Sequence, residues 1–451
     1  MARLFKEKRK GQLKERHLHL GLDFGTCYSK LVLRDYDARE DKCLVIVPEV
    51  AGQRKSNYLI PSLVVLWDGC LHFGFQAQEI ASRSGAIEFC SVKIRAAYPD
   101  SFKEEAEKLP KNFTYEDLSI LVILYLLQVS DHFAKAYAMQ FNATPKLTMT
   151  TGAPMGALNQ SRLQGIFLRM ARSAYEAFGI KGLPQLQGIK LEQASEFLKF
   201  ARDSITKQSA FGDPRDWVRS EAEAALLWAY RSPKVGPGLY ACVDIGAGST
   251  DSTFFKIVNS YEGKPGNGVW LKDRMAFFGA VSEHIGMDDI GHAICRHTSS
   301  TITSVRGKEE HMVKNLPNEV LNPCNKICET YQKAFSRGYE LDKRVSAWKN
   351  YGLFLIGGGS NFSRLRSQLH NMSVWPGQLS PPKPCDPGQP KDLKGPDGKD
   401  FIDDPSFLLV AYGLSHYRAE VPLVTNPSDI QPLKIERPTL SIDHENFYSK
   451  K

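Results

Sequence analysis

Two stretches far apart in this chain each end an apolar run in an aspartate followed, two positions on, by a glycine. The first reads Gly21-Leu22-Asp23-Phe24-Gly25-Thr26-Cys27-Tyr28-Ser29-Lys30. The second reads Val243-Asp244-Ile245-Gly246-Ala247-Gly248-Ser249-Thr250-Asp251. Both patterns suit a strand–turn–strand with a backbone-rich tip. Glycine there lets amide groups approach a phosphate closely, and the carboxylate can face a hydrated divalent cation. Mg2+ keeps much of its water, so Asp23 and Asp244 would bind it through water, while amides of residues 25–29 and 246–250 line the phosphates. A third turn, Gly357-Gly358-Gly359-Ser360, offers a flat backbone wall for a base or ribose. No Walker-A pattern is present, and Asp251 stands where a dinucleotide fingerprint needs its third glycine. Asp23, Asp244 and Asp251 therefore fit phosphate held through Mg2+ better than a bare pyrophosphate. Any one turn reads as an ordinary tight turn as readily as a site. Two related turns point to two halves closing on one nucleotide.

The elements that must position these turns follow from periodicity. Lys30–Arg34 completes the first hairpin. Residues 59–66 read as a strand entered through Pro61, followed by a short strand at 71–75 and a helical segment at 76–82. Residues 113–141 have helical periodicity, 146–151 are a strand, and Asn159–Gly179 is an amphipathic helix with Asn159 as cap. Residues 181–219 look like an insertion of mixed helix and loop. An Ala-rich helix over 220–230 ends at the breaker Ser232-Pro233-Lys234-Val235-Gly236-Pro237-Gly238, the natural domain boundary. Residues 318–336 are mostly helical, interrupted or restarted at Pro323. Residues 352–356 are a buried strand and 362–370 a helix. With seven prolines, residues 373–400 read as a long surface loop. A last helix runs from Asp403-Asp404-Pro405 through Tyr417. The expected organisation is a basic arm at 1–17, a first lobe at 18–235, a second at 236–402, a connecting helix at 403–420 and a tail at 421–451.

At 451 residues the chain is long enough for two or more domains and a large buried core. The net charge of +8 is concentrated at the start. Seven basic residues against Glu7 and Glu15 put +5 within residues 1–16. The remaining +3 argues against a nucleic-acid-binding body, leaving only the arm at 1–16 for an acidic partner, RNA or membrane. The longest apolar run, Leu118–Val129, is too short for a bilayer span and reads as a buried helix. Nine scattered cysteines fit reduced thiols in a cytoplasmic protein, and Cys324-x-x-x-Cys328 lacks the second pair that a metal site needs.

Taken in order, the motifs resemble the actin-like ATPase superfamily, and within it the nucleotide-binding domain of DnaK-type heat-shock chaperones. Gly21–Ser29 is similar to that family's first phosphate motif and Asp244–Asp251 to its second. Pro61-Ser62-Leu63-Val64, Phe73–Ala77, Thr151-Gly152-Ala153-Pro154 and Gln160-Ser161-Arg162 resemble further family segments. So do Glu221–Ala225 and Ala411-Tyr412-Gly413, its two connecting helices, and the acidic turn Ile285–Asp289. Ser91-Val92-Lys93-Ile94-Arg95 is similar to the stretch with the catalytic lysine, Cys328-Glu329 with Lys333 and Ser336 to the helix that grips adenosine, and Ile356–Ser360 to the adenosine motif. The matches span residues 18–418. The resemblance implies two duplicated ribonuclease-H-like lobes around a cleft for ATP and Mg2+. Asp23 and Asp244 would organise the ion. Lys93 would contact the γ-phosphate; its bland reading is a solvated surface lysine. Glu221 and Asp251 would orient the attacking water, with Glu223 competing for Glu221's place. Gly25, Thr26, Cys27, Tyr28, Gly246, Gly248, Ser249 and Thr250 would line the phosphates. Glu329, Lys333, Ser336 and Gly357–Ser360 would hold the adenosine.

Departures shape the functional expectation. Cys27 replaces a usual threonine, which removes a hydroxyl and implies slow hydrolysis. Asn361 follows Ser360 where the family has Thr-Arg, with Arg364 as a substitute. Residues 421–451 are expected to be too few, too Pro-rich and too weakly periodic for the linker, peptide-binding sandwich and lid of those chaperones. The expectation is a stand-alone ATP-binding switch whose closure is read by a partner protein. An actin-like filament former with self-association is the alternative, and a small-molecule kinase a more distant one.

Overall fold

The computed structural model describes residues 13–48, 58–154, 161–180, 185–207, 213–262, 269–300, 305, 308–317, 321–343, 348, 350–372, 381–386, 388–401, 403–425 and 427–430. Most of the basic arm, the Asn159 cap, Gln160 and the end of the tail lie outside the described residues. The architecture is mixed α/β, and its two large sheets contain both parallel and antiparallel pairs.

The first sheet is built on β1 (Lys14–Asp23) and β2 (Tyr28–Asp35), an antiparallel hairpin. Short β3 (Cys43–Val45) continues antiparallel on β2, and β4 (Ala143–Ala153) lies parallel to β1 on its other side. The second sheet repeats this order. There β6 (Gly238–Ile245) and β7 (Thr250–Glu262) form the hairpin, β8 (Val269–Glu283) continues antiparallel, and β9 (Gly352–Ile356) lies parallel to β6. Between the sheets in sequence stands β5 (Val218–Ser220), parallel to β4 at the edge of the first sheet. It therefore belongs to the central sheet and not to an insertion.

The period-2 alternation of strands decides what these hairpins present. Leu18, Leu20 and Leu22 point into a core with α2 (Tyr115–Met139). The opposite face of β1 carries His19, Gly21 and Asp23, and is covered by α9 (Leu409–Leu414). In β6, Cys242 shares a face with Asp244 and packs with α5 (Glu221–Arg231) and α9 in a core common to both sheets. Both turn aspartates thus sit on the faces that the two sheets direct toward α5 and α9.

Helix α2 contains the long apolar run. By length and composition it could cross a bilayer, yet 72% of its most apolar window is buried inside the fold. Thr114 and Asp117 close its first turn as a reciprocal capping box. Elsewhere the chain departs from the expected elements. The strand at 59–66 is split into Ile60–Pro61, which pairs with β2, and Val64–Trp67, which pairs in a separate small sheet; the Ser62 amide donates to Cys27 O at the base of the first turn. Helix α7 (Asn322–Leu341) has Pro323 in its first turn, where its missing N–H costs nothing, which agrees with the expected restart there and not with an interruption. The expected loop at 373–400 contributes Lys383–Pro384 beside β9 and Leu393–Lys394 beside β3. Asp392 anchors it through buried Arg34, at 2.8 Å. The helix expected over 403–417 is only Leu409–Leu414, preceded by a 3-10 turn at Pro405–Phe407 that Asp404 caps.

Candidate functional site

In the first hairpin Asp23 and Lys30 are direct cross-strand partners, and Lys30 Nζ donates to Asp23 Oδ2 at 2.8 Å. In the second hairpin the corresponding partners are Asp244 and Asp251. Opposed like charges destabilise an antiparallel pair. The consequence shows in their titration. Burial first, then the charges of Asp251 and Glu221, push Asp244 up to about 7; Lys30 opposes this. Burial and Glu221 likewise push Asp251 to about 7, against a hydrogen bond from Ser282 and the charge of Lys93. Burial pulls the Lys30 ammonium down, but Asp23, Asp244 and Glu221 outweigh it and hold its pKa above the ordinary lysine value.

Lys93 arrives by a different route. Ser91 adopts a left-handed conformation, φ 53°, and turns the chain into the short helix α1 (Val92–Ala97). That helix buries Val92, Lys93, Ala96 and Ala97 on one face, so Lys93 points inward and is only 5% exposed. Its Nζ donates to Glu221 Oε1. The solvated-lysine reading is therefore overturned. Glu221 opens α5 behind the cap Ser220, and Gly152 at the end of β4 gives it room: a Cβ there would lie 2.7 Å from Glu221 Cγ. Glu223 faces elsewhere. Its raised pKa reflects burial, offset by Arg219, Arg215 and Arg418.

The glycine turns close over this cluster. A Cβ on Gly357, at φ +77°, would lie 2.2 Å from Asp244 Oδ1, so only glycine lets the third turn wrap that carboxylate. A Cβ on Gly248 would lie 2.8 Å from Thr26 Cγ2, which puts the tips of the first and second turns in contact. Among the described residues, no backbone acceptor pairs with the amides of Thr26, Gly248 or Ser249. The Gly246 amide is used within its own turn, donating to Ser249, and the Thr250 hydroxyl donates to Ile285 O at 2.7 Å. Tyr28 and Gly25 frame the first turn, with the site of a Gly25 Cβ 2.2 Å from Tyr28 O. Cys27 Sγ donates to Asp288 Oδ2 at 3.2 Å, linking the first turn to the acidic turn that opens α6 (Met287–Thr298).

Glu329, Lys333 and Ser336 line a concavity of 450 Å³ with Gln332 and Arg337 on α7. Lys333 reaches Glu283 at 2.9 Å, and Glu283 is the cross-strand partner of Thr250, so this concavity adjoins the second turn. The Ser336 hydroxyl back-bonds to Gln332 O. A larger concavity of 810 Å³ lies farther along the same helix, between α6 and Lys326. It contains neither lysine–carboxylate pair of the cluster. Ser360 donates to Gly357 O, holding the 357–360 turn, and Arg366 bonds both Ser360 O and Asn361.

Sequence reading missed Lys30 and Arg366. The hairpin register would have exposed Lys30: with the turn centred on residues 26–27, position 30 must oppose position 23.

Asp23, Asp244, Asp251 and Glu221 carry four carboxyl groups against the ammonium groups of Lys30 and Lys93. Asp251 Oδ1 is buried with no hydrogen-bond partner among the described residues. This donor set suits a hydrated hard cation. Among the described residues no three His, Cys, Asp or Glu side chains converge as direct ligands, so a fully protein-ligated metal centre does not fit. No protein-family model matches the chain, and no curated protein matches it.

Proposed function

We propose that this chain is an actin-like ATPase that binds Mg-ATP between two duplicated lobes and serves as an open/closed switch for a partner protein. The supporting observation is the convergence of two like-spaced acidic hairpins, one from each sheet, on a single carboxylate–lysine cluster capped by glycine turns. The repeated strand order of the sheets and the helices α5 and α9 between them agree with that architecture.

In this reading the amides of Thr26, Gly248 and Ser249 hold phosphate oxygens, and the concavity at Glu329, Lys333 and Ser336 takes the nucleoside. Asp244, with Asp23, faces hydrated Mg2+, which neutralises phosphate charge. Glu221 orients water, and Lys93 fixes the Glu221 carboxylate while placing a positive charge near the phosphate tail. This is catalysis by position and electrostatics, without a covalent intermediate. Cys27 leaves one hydroxyl fewer at the turn, consistent with slow turnover suited to a switch.

Isothermal titration of the protein with Mg-ATP tests the reading. Saturable binding to wild type and at least about tenfold weaker binding to Asp244→Asn are expected. Absence of ATP binding sinks it. Affinity purification with and without ATP then identifies the partner.

A further inference from the structure

The 810 Å³ concavity between α6 and the start of α7 plays no part in the ATP-binding reading. One face of α6 lines it: Asp289, His292, Ala293, Arg296 and His297 recur there at helical spacing, and Lys326 joins them from α7. Ile285 and Pro323 add apolar surface. Among the described residues, the side chains of His292, Arg296, His297 and Lys326 make no hydrogen bond and no ion pair. The Asp289 carboxylate is already used, accepting the Gly286 amide at 2.9 Å in the capping turn of α6. We propose that this concavity binds a small soluble phosphate ester, at a site separate from the nucleotide cleft. The proposal goes beyond the ATP-binding reading and does not rest on it.

Charge and size select that ligand. Two cationic side chains stand on different helices against one carboxylate that is occupied, so the concavity attracts anions. The planar guanidinium of Arg296 matches phosphate oxygens two at a time, and Lys326 adds a compact charge without fixed geometry. The two imidazoles each supply a further N–H. At 810 Å³ the concavity lies within the span of small-molecule sites, roughly 300–1,000 Å³, and exceeds what one inorganic phosphate fills. An organic body can rest on Ile285 and Pro323 while its phosphate meets the cations. A merely solvated basic face explains these residues less well. Cations in the last turn of α6 suit its dipole, which accounts for Arg296 and His297. The same effect disfavours Lys326, in the second turn of α7, and has no bearing on His292 in mid-helix. Farther along α7, Lys333 and Arg337 each have a partner, Glu283 Oε1 and Ala280 O, both at 2.9 Å. Arg296 and Lys326 have none among the described residues.

Fructose bisphosphate, titrated into the full chain at physiological ionic strength without divalent cation, is the probe. Calorimetry and amide hydrogen exchange read the outcome. Saturable binding is expected, with exchange slowed at 289–297 and 322–326. Arg296→Gln combined with Lys326→Gln should weaken it at least about tenfold. Lys103→Gln combined with Lys256→Gln, which removes the same charge from exposed positions elsewhere, should change it less than about twofold. Absence of saturable binding overturns the proposal. Equal weakening in the two double variants also overturns it, because the attraction is then one of overall charge. Slowed exchange at 24–30 and 246–251 alone overturns it too, since the phosphate turns then hold the probe and the concavity is an ordinary solvated face. The wild-type exchange map decides this whether or not the variants fold. Slowed exchange at 289–297 and 322–326 supports the site even where Mg-ATP does not bind, so the two readings fail separately.

Discussion

Asp244 and Asp251 hold their protons to a pH near 7, well above a free aspartate, because both are buried near Glu221, and Asp244 also faces the charge of Asp251. Between about pH 4 and pH 7 the folded protein therefore binds more protons than the unfolded chain, and the slope of unfolding free energy with pH is negative for these groups. Their penalty is absent below the unfolded pKa and complete above about 7. Asp251→Asn should remove that residue's own share and relieve Asp244 of one opposing charge, leaving the part due to burial of Asp244. In metal-free buffer the variant should be more stable than wild type at pH 8, by on the order of 2 kcal/mol, and the advantage should vanish toward pH 4. Thermal unfolding from pH 4 to 8 measures this; a pH-independent difference would refute the coupling. The opposition of these aspartates was legible in the sequence as two residues seven apart around a glycine turn. Their protonation was not, because it depends on Glu221, which reaches them only through tertiary packing of α5.

Helix α9 shows why element boundaries were harder to read than element faces. It is one and a half turns long, and its place is set by contacts that no propensity records. A Cβ on Gly21 would lie 2.0 Å from Ala411 O, and one on Gly413 would lie 1.9 Å from Ala224 O. The helix is wedged between β1 and α5 at backbone contact. The Ala411-Tyr412-Gly413 triplet was matched to a connecting helix, but the helix around it was expected to be far longer. Arg219 donates to the carbonyls of Gly413, Leu414 and His416 and ends it there. The strands ending at Asp23 and Asp244 and the strand from Gly352 were read where they are buried and mostly apolar, but the first begins at Lys14, inside the stretch expected as a basic arm, because its charged half carries no apolar signal. The edge strands at Lys383 and Leu393 were not, because two-residue pairings in a proline-rich stretch leave no periodic signal. Two effects compete at Gly413. Alanine gains up to about 1 kcal/mol of helix propensity, and overpacking costs about 1–3 kcal/mol. With backbone as the obstacle, the cost wins. Gly413→Ala should destabilise by about 2 kcal/mol in denaturant titration, whereas Gly236→Ala, with open space around it, should stay within about 0.5 kcal/mol. Equal stability of the two variants would show that α5 and α9 can separate at little cost.

Across the whole molecule, the turns belong to different sheets and meet, among the described residues, at contacts between their tips. Gly248 approaches Thr26, Cys27 bonds Asp288, and the Tyr98 and His284 rings stand edge to face at 4.3 Å. Each of these contacts is small beside the cores that hold the hairpins in their own sheets. The turn tips can therefore separate locally while the core that α5 and α9 share with both sheets stays packed, since opening at the tips alone exposes little apolar surface. A ligand spanning it adds its binding energy to every opening that releases it: at a hundred times its dissociation constant, about 2.7 kcal/mol, or roughly a hundredfold in the open population. Amide hydrogen exchange can read this at several places at once. Saturating Mg-ATP should slow exchange together at residues 24–30, 246–251 and 328–337, while the buried middle of α2 should not change. Protection confined to one hairpin would mean that its turn binds alone and that the halves do not act on one ligand. Joint protection that is lost in Asp244→Asn at 24–30 as well as at 246–251 would establish coupling through the nucleotide, because Asp244 belongs to the second sheet and reaches the first turn only across the junction.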